Sequence, residues 1–346
     1  MSGTAALLSL PFFSFKACLA LLPVLAFLGI LMILDSYKLV RLHRILQTIG
    51  VGILCAVCAY FVNSAGFRVF APDTKAYLSY GVPLLEEVLK ALYLVYLIRR
   101  QRIGFAVDAA IIGFGVGAGF ALQENLFYLG LLTDSTLLTW IVRGFGTAIM
   151  HGGTTAFFGI LACNLAGRGE GRGPWIFLPG LALAFVVHSL YNQAILSPVV
   201  MTALIAAAVP VLLTLVFGWS ENGLRQWLGE GFDRDVELLA MITTGTFLQT
   251  RAGKFLLSLT KAFPPSTVAD MLCALRIRVE LALRVKGDLL KREAGFQVVP
   301  DQGTLARLKE LRYLEKSIGP TGRLAMSPLL PKNSRDAWQL EQLGYR

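Results

Sequence analysis

The sequence predicts an all-α fold: a polytopic membrane helical bundle of about seven transmembrane helices, with a small helical cytoplasmic C-terminal region. Three observations carry this expectation. Hydrophobic residues make up 55% of the 346 and charged residues only 16%, outside the usual range of soluble domains. Apolar runs near the ~20 residues needed to cross a bilayer recur at 12–34, 45–66, 77–98, 104–131, 137–165, 175–197 and 199–219. The composition then changes near Glu221, after which the chain is charged and lacks histidine. Two regions follow: 1–220 as a membrane domain, and 221–346 as cytoplasmic helices with a poorly ordered tail.

The first segment has no basic leading region and no convincing small-residue cleavage site, so it reads as a retained helix and not as a signal peptide. The second holds Cys55 and Cys58, whose spacing resembles a redox or metal pair. With five cysteines in all, mostly in apolar segments, packing as small hydrophobes is the better reading. The third carries Glu86, Glu87 and Lys90 in its middle. The fourth contains Gly113, Gly115, Gly117 and Gly119; with no preceding strand, these fit close helix contact and not a nucleotide loop. In the fifth, Gly152-Gly153 is expected to loosen the helix beside His151. The sixth and seventh meet at Ser197-Pro198, where proline disfavours helix in the residue before it.

Beyond Glu221, 236–257 is too interrupted by Arg251 and Lys254 to read as an eighth span. Ser266 is the expected cap of a helix with Val268, Leu272, Leu275, Val279 and Leu283 near one face. A further helix is expected at 304–317, with Leu305, Leu308, Leu311 and Leu314 in a repeat.

Basic residues set the orientation. Lys38, Arg41 and Arg44 follow the first span, Arg99, Arg100 and Arg102 the third, and Arg168 and Arg172 the fifth. The positive-inside bias places the N-terminus outside and the C-terminus in the cytoplasm. The net charge of +10 is explained by these loops facing anionic lipid, so no nucleic-acid partner is expected; the bilayer itself is. Nothing in the sequence fixes an oligomeric state.

Polar residues inside membrane segments are costly and functional by default. Glu86 lies nine residues after Tyr77, Glu124 nine before Thr133, and His188 nine before Ser197. With the alternating directions of these helices, all three fall about 13 Å below the outer surface, and His151 reaches a similar depth if its helix enters the hydrocarbon near Arg143. One shared site explains this better than four accidents. Lys90 stands at i+4 from Glu86 and i+3 from Glu87, within reach of either. The adjacent glutamates point about 100° apart, so one is expected to face the cavity and the other a supporting helix. His188 and Asn192 share a face, as do Phe120 and Glu124, with Asn125 beside them. Asp108 and Arg143 are read as snorkelling near helix ends, and His43 as solvated. Three carboxylates against one lysine leave excess negative charge, to be balanced by a proton or a bound cation. Either route activates water.

At these positions the chain resembles a known family. Glu86-Glu87-x-x-Lys90, Phe120-x-x-x-Glu124-Asn125, His151 and His188-x-x-x-Asn192 are similar to the motif set of the PrsW intramembrane proteases, within a superfamily that includes the CAAX prenyl endoproteases. The resemblance covers roughly 77–197. It implies Glu86 or Glu87 as general base and His188 with Asn192 as oxyanion donors, with Lys90, Phe120 and Asn125 supporting. Where the wider superfamily has a histidine in its second motif, this chain has Glu124, as is typical of the PrsW branch; His151 is the replacement candidate. No cofactor is required on the preferred reading. Zinc is the alternative, with ligands drawn from Glu87, Glu124, His151 and His188. The resemblance also implies a bacterial cytoplasmic membrane and a single-pass, membrane-anchored substrate of the anti-sigma-factor kind. The rival reading from the residues is a proton- or cation-coupled transporter, which should show internal repeats; none is evident.

Overall fold

A computed structural model describes residues 2–69, 73–132, 134–167, 173–299, 302–330 and 334–343, with side chains from residue 14 onward except those of 334, 336 and 337. Thr133, Arg168 and Arg172 lie outside the described residues. The chain divides into two units, one of Met1–Asp35 and Leu39–Ser220, the other of Ser36–Lys38 and Glu221–Arg346.

The first unit is built of α1 (Ser2–Leu34), α2 (Leu42–Val69), α3, α4 (Ala106–Leu131), α5 (Leu137–Gly167), α6 (Pro174–Asn192) and the start of α7 (Pro198–Thr244). Helix α3 comprises Thr74–Ala76, a π-helical turn Tyr77–Gly81 and the α-helix Val82–Arg99. Among the described residues, six helices are long and apolar enough to cross a membrane: all of these but α3, whose Glu86, Glu87 and Lys90 interrupt the apolar run. The protein is therefore a multi-pass, all-α membrane protein.

Helix α4 is the centre of the unit. Every residue from Ala106 to Ala121 is buried, as expected for a helix that is apolar all round. Its glycines alternate between two neighbours. A Cβ at Gly113 or Gly117 would meet the backbone of Thr155 or His151 on α5, and one at Gly115 or Gly119 would meet Thr48 or Ile49 on α2. Residues four apart share a face, so each glycine pair lets one partner helix approach closely. That is the packing expected of small residues in membrane helices.

Two expectations about helix residues need correction. Asp108 does not snorkel: it is buried, and its carboxylate accepts from the backbone N–H of Gly104 (2.9 Å) and Phe105 (2.7 Å). It thus reaches back from the third helical position to the N–H groups just ahead of α4, as the acidic member of a capping box does. Gly152 and Gly153 do not loosen α5. They lie in regular helix, where a Cβ would press on the Phe114 ring (2.5 Å) and on Val209 (2.8 Å) respectively.

The second unit holds the end of α7 and α8 (Arg251–Ser258), α9 (Pro265–Glu293), α10 (Gln302–Met326) and α11 (Ser334–Gln342). Helix α7 does not end near 219; it continues to Thr244, before Gly245 in the left-handed region (φ 81°), a common helix stop. Helix α9 starts at Pro265, with no side-chain cap. Proline suits the first helical position because its missing N–H would have no partner there, so Ser266 falls inside the first turn instead of capping it. On α10, Leu308, Leu311 and Leu314 are buried while Leu305 is exposed. These residues join Met271, Leu275 and Leu281 of α9 in one apolar core. Lys286, fully buried, binds Asp235 (2.6 Å) and the carbonyl of Gly231 (2.8 Å). Within the tail, Trp338 of α11 is buried against Trp227.

Candidate active site

The glutamate pair on α3 splits between two environments. Glu87 is buried, and its Oε1 accepts from Lys90 Nζ (2.6 Å), His188 Nδ1 (2.8 Å) and Thr154 Oγ1 (3.3 Å). Glu86, one residue earlier, lines a cavity of about 710 Å³ shared with Glu124, Arg143, His151, His188 and Asn192. Its Oε1 accepts from Asn63 Nδ2 on α2 (3.4 Å), and Asn63 Oδ1 accepts from Tyr77 Oη (3.0 Å). The Tyr77 ring fits a slot bounded by Gly66 and Gly81, where any Cβ would strike it.

Hydrogen bonds fix the histidines. Lys90 has no exposed surface, and its ammonium can only donate. Its Nζ lies 3.2 Å from His151 Nδ1, so Nδ1 accepts and the ring proton sits on Nε2. That nitrogen donates to Glu124 Oε2 at 3.0 Å. His188 donates through Nδ1 to Glu87, leaving Nε2 facing Glu86 Oε2 at 3.8 Å. The two imidazoles meet edge to face, 4.8 Å between centroids, and Phe120 lies 5.0 Å from both the His151 ring and Lys90 Nζ.

Arg143 belongs to this cluster and not to the membrane surface. Its guanidinium lies 3.1 Å from Glu124 Oε1, donates through Nε to Asn125 Oδ1 (2.9 Å) and stacks 3.9 Å from the Tyr128 ring centroid. Snorkelling is overturned because those partners line the protein interior. The charge count changes with it: three carboxylates face two cations. Asn125 also points away from the cavity, donating to the Ala20 carbonyl of α1 (2.8 Å). Asn192, exposed at the end of α6, lines the cavity and donates to the Leu78 carbonyl (3.4 Å).

Sequence reading missed Asn63 and Arg143. Asn63 carried a signal, an amide inside an apolar span. Arg143 is brought in by a π-helical segment, Val142–Thr147. Eight residues on a regular helix leave two side chains about 80° apart, and the wider turn takes up an extra residue so that Arg143 and His151 both reach Glu124. The other π turn, Tyr77–Gly81, also borders the site, in keeping with the habit of such turns to mark functional positions.

Among the described residues, one group has the makings of a metal centre: Glu86, His151 and His188 offer ligand atoms within 4.8 Å of one another. Glu87, expected among the ligands, instead holds His188 through Nδ1 on the side away from Glu86, and Glu124, also expected, accepts from His151 Nε2. Two imidazoles and a carboxylate suit a catalytic zinc with an open position, and Glu87 on His188 Nδ1 is the outer carboxylate such sites use. The donor set therefore fits, with His151 exchanging one of its two hydrogen bonds for the ion.

Fold and site together define a polytopic helical membrane protein with a carboxylate–histidine cluster among its spans. A sequence model described as PrsW family intramembrane metalloprotease matches residues 41–219, just over half of the chain, and the chain belongs to that family. No curated protein and no solved structure matches it.

Proposed function

We propose that the protein is an intramembrane endopeptidase that cuts a membrane-anchored protein with water activated by Glu86. The observation that carries this reading is the placement of Glu86 Oε2 opposite His188 Nε2, 3.8 Å apart on the wall of one cavity. That leaves a carboxylate and a ring nitrogen free to work on the same reacting group.

In the reaction, Glu86 takes a proton from water as the water oxygen bonds to the scissile carbonyl carbon. Asn192, and His188 Nε2 when protonated, stabilise the oxyanion that forms. As the C–N bond breaks, Glu86 returns the proton to the leaving amine, giving a carboxyl and an amino terminus. Glu87 does not react: it aligns His188 and neutralises Lys90. Zinc held by Glu86, His151 and His188 would supply Lewis-acid polarisation and a more acidic bound water.

The cavity wall includes Tyr60, Phe61, Phe127 and Tyr128, which suits an apolar segment. Together with the family resemblance, this supports a single-pass, anti-sigma-factor-like substrate in a bacterial cytoplasmic membrane; the basic residues that follow the first, third and fifth spans support an N-terminus outside. Single-turnover cleavage of such a substrate in oxygen-18 water tests the chemistry. One heavy oxygen is expected in the new C-terminus. Cleavage without label would rule out direct attack by water, and intact substrate in a folded preparation would refute the reading.

A further inference from the structure

We infer that Arg143 is a positioning residue for the reaction, anchoring through its ion pair with Glu124 a hydrogen-bonded chain that ends at the cavity-facing nitrogen of His188. The inference rests on the peptidase reading above. The chain is continuous through buried or half-buried groups. It runs from Arg143 to Glu124 (3.1 Å), to His151 (3.0 Å), to Lys90 (3.2 Å), to Glu87 (2.6 Å) and to His188 (2.8 Å). Its members alternate in what they supply: cation, carboxylate, neutral imidazole, cation, carboxylate, imidazole.

Directionality gives Arg143 its importance. Lys90 spends one donor on Glu87 and directs another at His151 Nδ1. This arrangement holds only while His151 keeps its proton on Nε2, and that needs an acceptor there. Glu124 is that acceptor, through Oε2. Its other oxygen, Oε1, faces the Arg143 guanidinium, which is itself fixed by Asn125 and by the Tyr128 ring. Without the cation, Glu124 is free to turn toward the cavity it lines, and the Nε2 proton of His151 loses its partner. Lys90 and Glu87 then shift, and His188 Nε2 leaves its place opposite Glu86. An arginine suits this post because its planar fork reaches Glu124 and Asn125 together.

The test uses the full chain in lipid nanodiscs, with two readouts. The first is the ring nitrogen spectrum of His151, easily assigned because the chain has three histidines. The wild type is expected to show the Nε2–H form, and Arg143→Gln a mixture of tautomers; a wild type with the proton on Nδ1, or a variant with an unchanged spectrum, overturns the inference. The second is kinetic. Arg143→Gln is expected to lower kcat by roughly 10–100-fold, as outer-shell partners commonly do, with little change in KM, and Arg143→Lys to recover part of the loss. A rise in KM alone would make Arg143 a substrate contact and sink the proposal, as would unchanged kinetics. Should Arg143→Gln fail to fold, Arg143→Lys keeps the cation and carries both readouts: an intermediate kcat supports the brace, and wild-type kcat contradicts it. The spectrum does not depend on proteolysis, so failure of the brace and failure of the peptidase reading are distinguishable.

Discussion

His188 Nδ1 lies 2.8 Å from Glu87 Oε1, and this one contact separates the roles of two adjacent glutamates. It buries Glu87 as a brace and turns Nε2 of the same ring toward Glu86. A carboxylate behind a histidine fixes its tautomer and orientation, so the pair works as one support and one reactive group.

Metal binding follows from the donor trio. Titration of zinc into metal-free protein, followed by calorimetry, is expected to show one site that involves Glu86, His151 and His188. His188→Ala should weaken it at least about tenfold, since a ligand contributes no less than its outer-shell partners. Zinc affinity indifferent to His188 would show that the trio is not the site.

The amide of Asn63 holds Glu86, and Tyr77 holds the amide. Asn63→Leu is expected to lower kcat by about tenfold while the protein stays folded; losing one hydrogen bond to a charged group is worth roughly 1.5–3 kcal/mol. Tyr77→Phe should have a smaller effect in the same direction, because the Asn63 side chain is then free to turn. Steady-state cleavage rates of both variants check the order, and a Tyr77→Phe loss exceeding that of Asn63→Leu would contradict it.

Helix contact in the membrane unit depends on missing side chains. Gly117→Ala is expected to destabilise by about 1–3 kcal/mol, the usual result of overpacking, because its Cβ would meet the His151 carbonyl. Gly130→Ala, also on α4 but with nothing within 4 Å, should be neutral or stabilising by up to about 1 kcal/mol. Thermal unfolding in detergent compares them; equal melting temperatures would mean that α4 and α5 are not in close contact.

In the second unit, Lys286→Met is expected to destabilise by about 3–5 kcal/mol by leaving Asp235 without its partner. The reading is a denaturant or thermal transition of the full chain, followed through the Trp227 and Trp338 fluorescence. Substituting both members, Lys286→Met with Asp235→Leu, should recover much of the loss; no recovery would argue against a charge-pairing origin.

Much of this was legible in the sequence because it depends on spacing. The helical class came from apolar runs, the close packing at the glycine ladder from small residues in an apolar segment with no preceding strand, and the roughly 100° divergence of Glu86 and Glu87 from helical geometry alone. Arg143 was not legible, since its membership depends on a π-helical segment that no residue pattern announces; its place near a helix end, where a long basic side chain snorkels, pointed it to the surface. Asp108 was misread for a related reason: a carboxylate at a helix start either caps or snorkels, and only the burial of Gly104 and Phe105 beside it decides. The length of α7 was obscured because its polar second half, after Ser220, reads as a boundary although the helix continues.

The division of labour between the two glutamates is tested most directly by comparing Glu86→Gln and Glu87→Gln in proteoliposomes with a single-pass substrate, measuring cleavage and unfolding together. Glu86→Gln is expected to keep the wild-type melting temperature and lose about 10²–10⁴-fold in kcat, the span of general-base contributions. Glu87→Gln should lower the melting temperature, because Lys90 is left without a buried counter-charge. Undiminished cleavage by a folded Glu86→Gln protein would contradict the account.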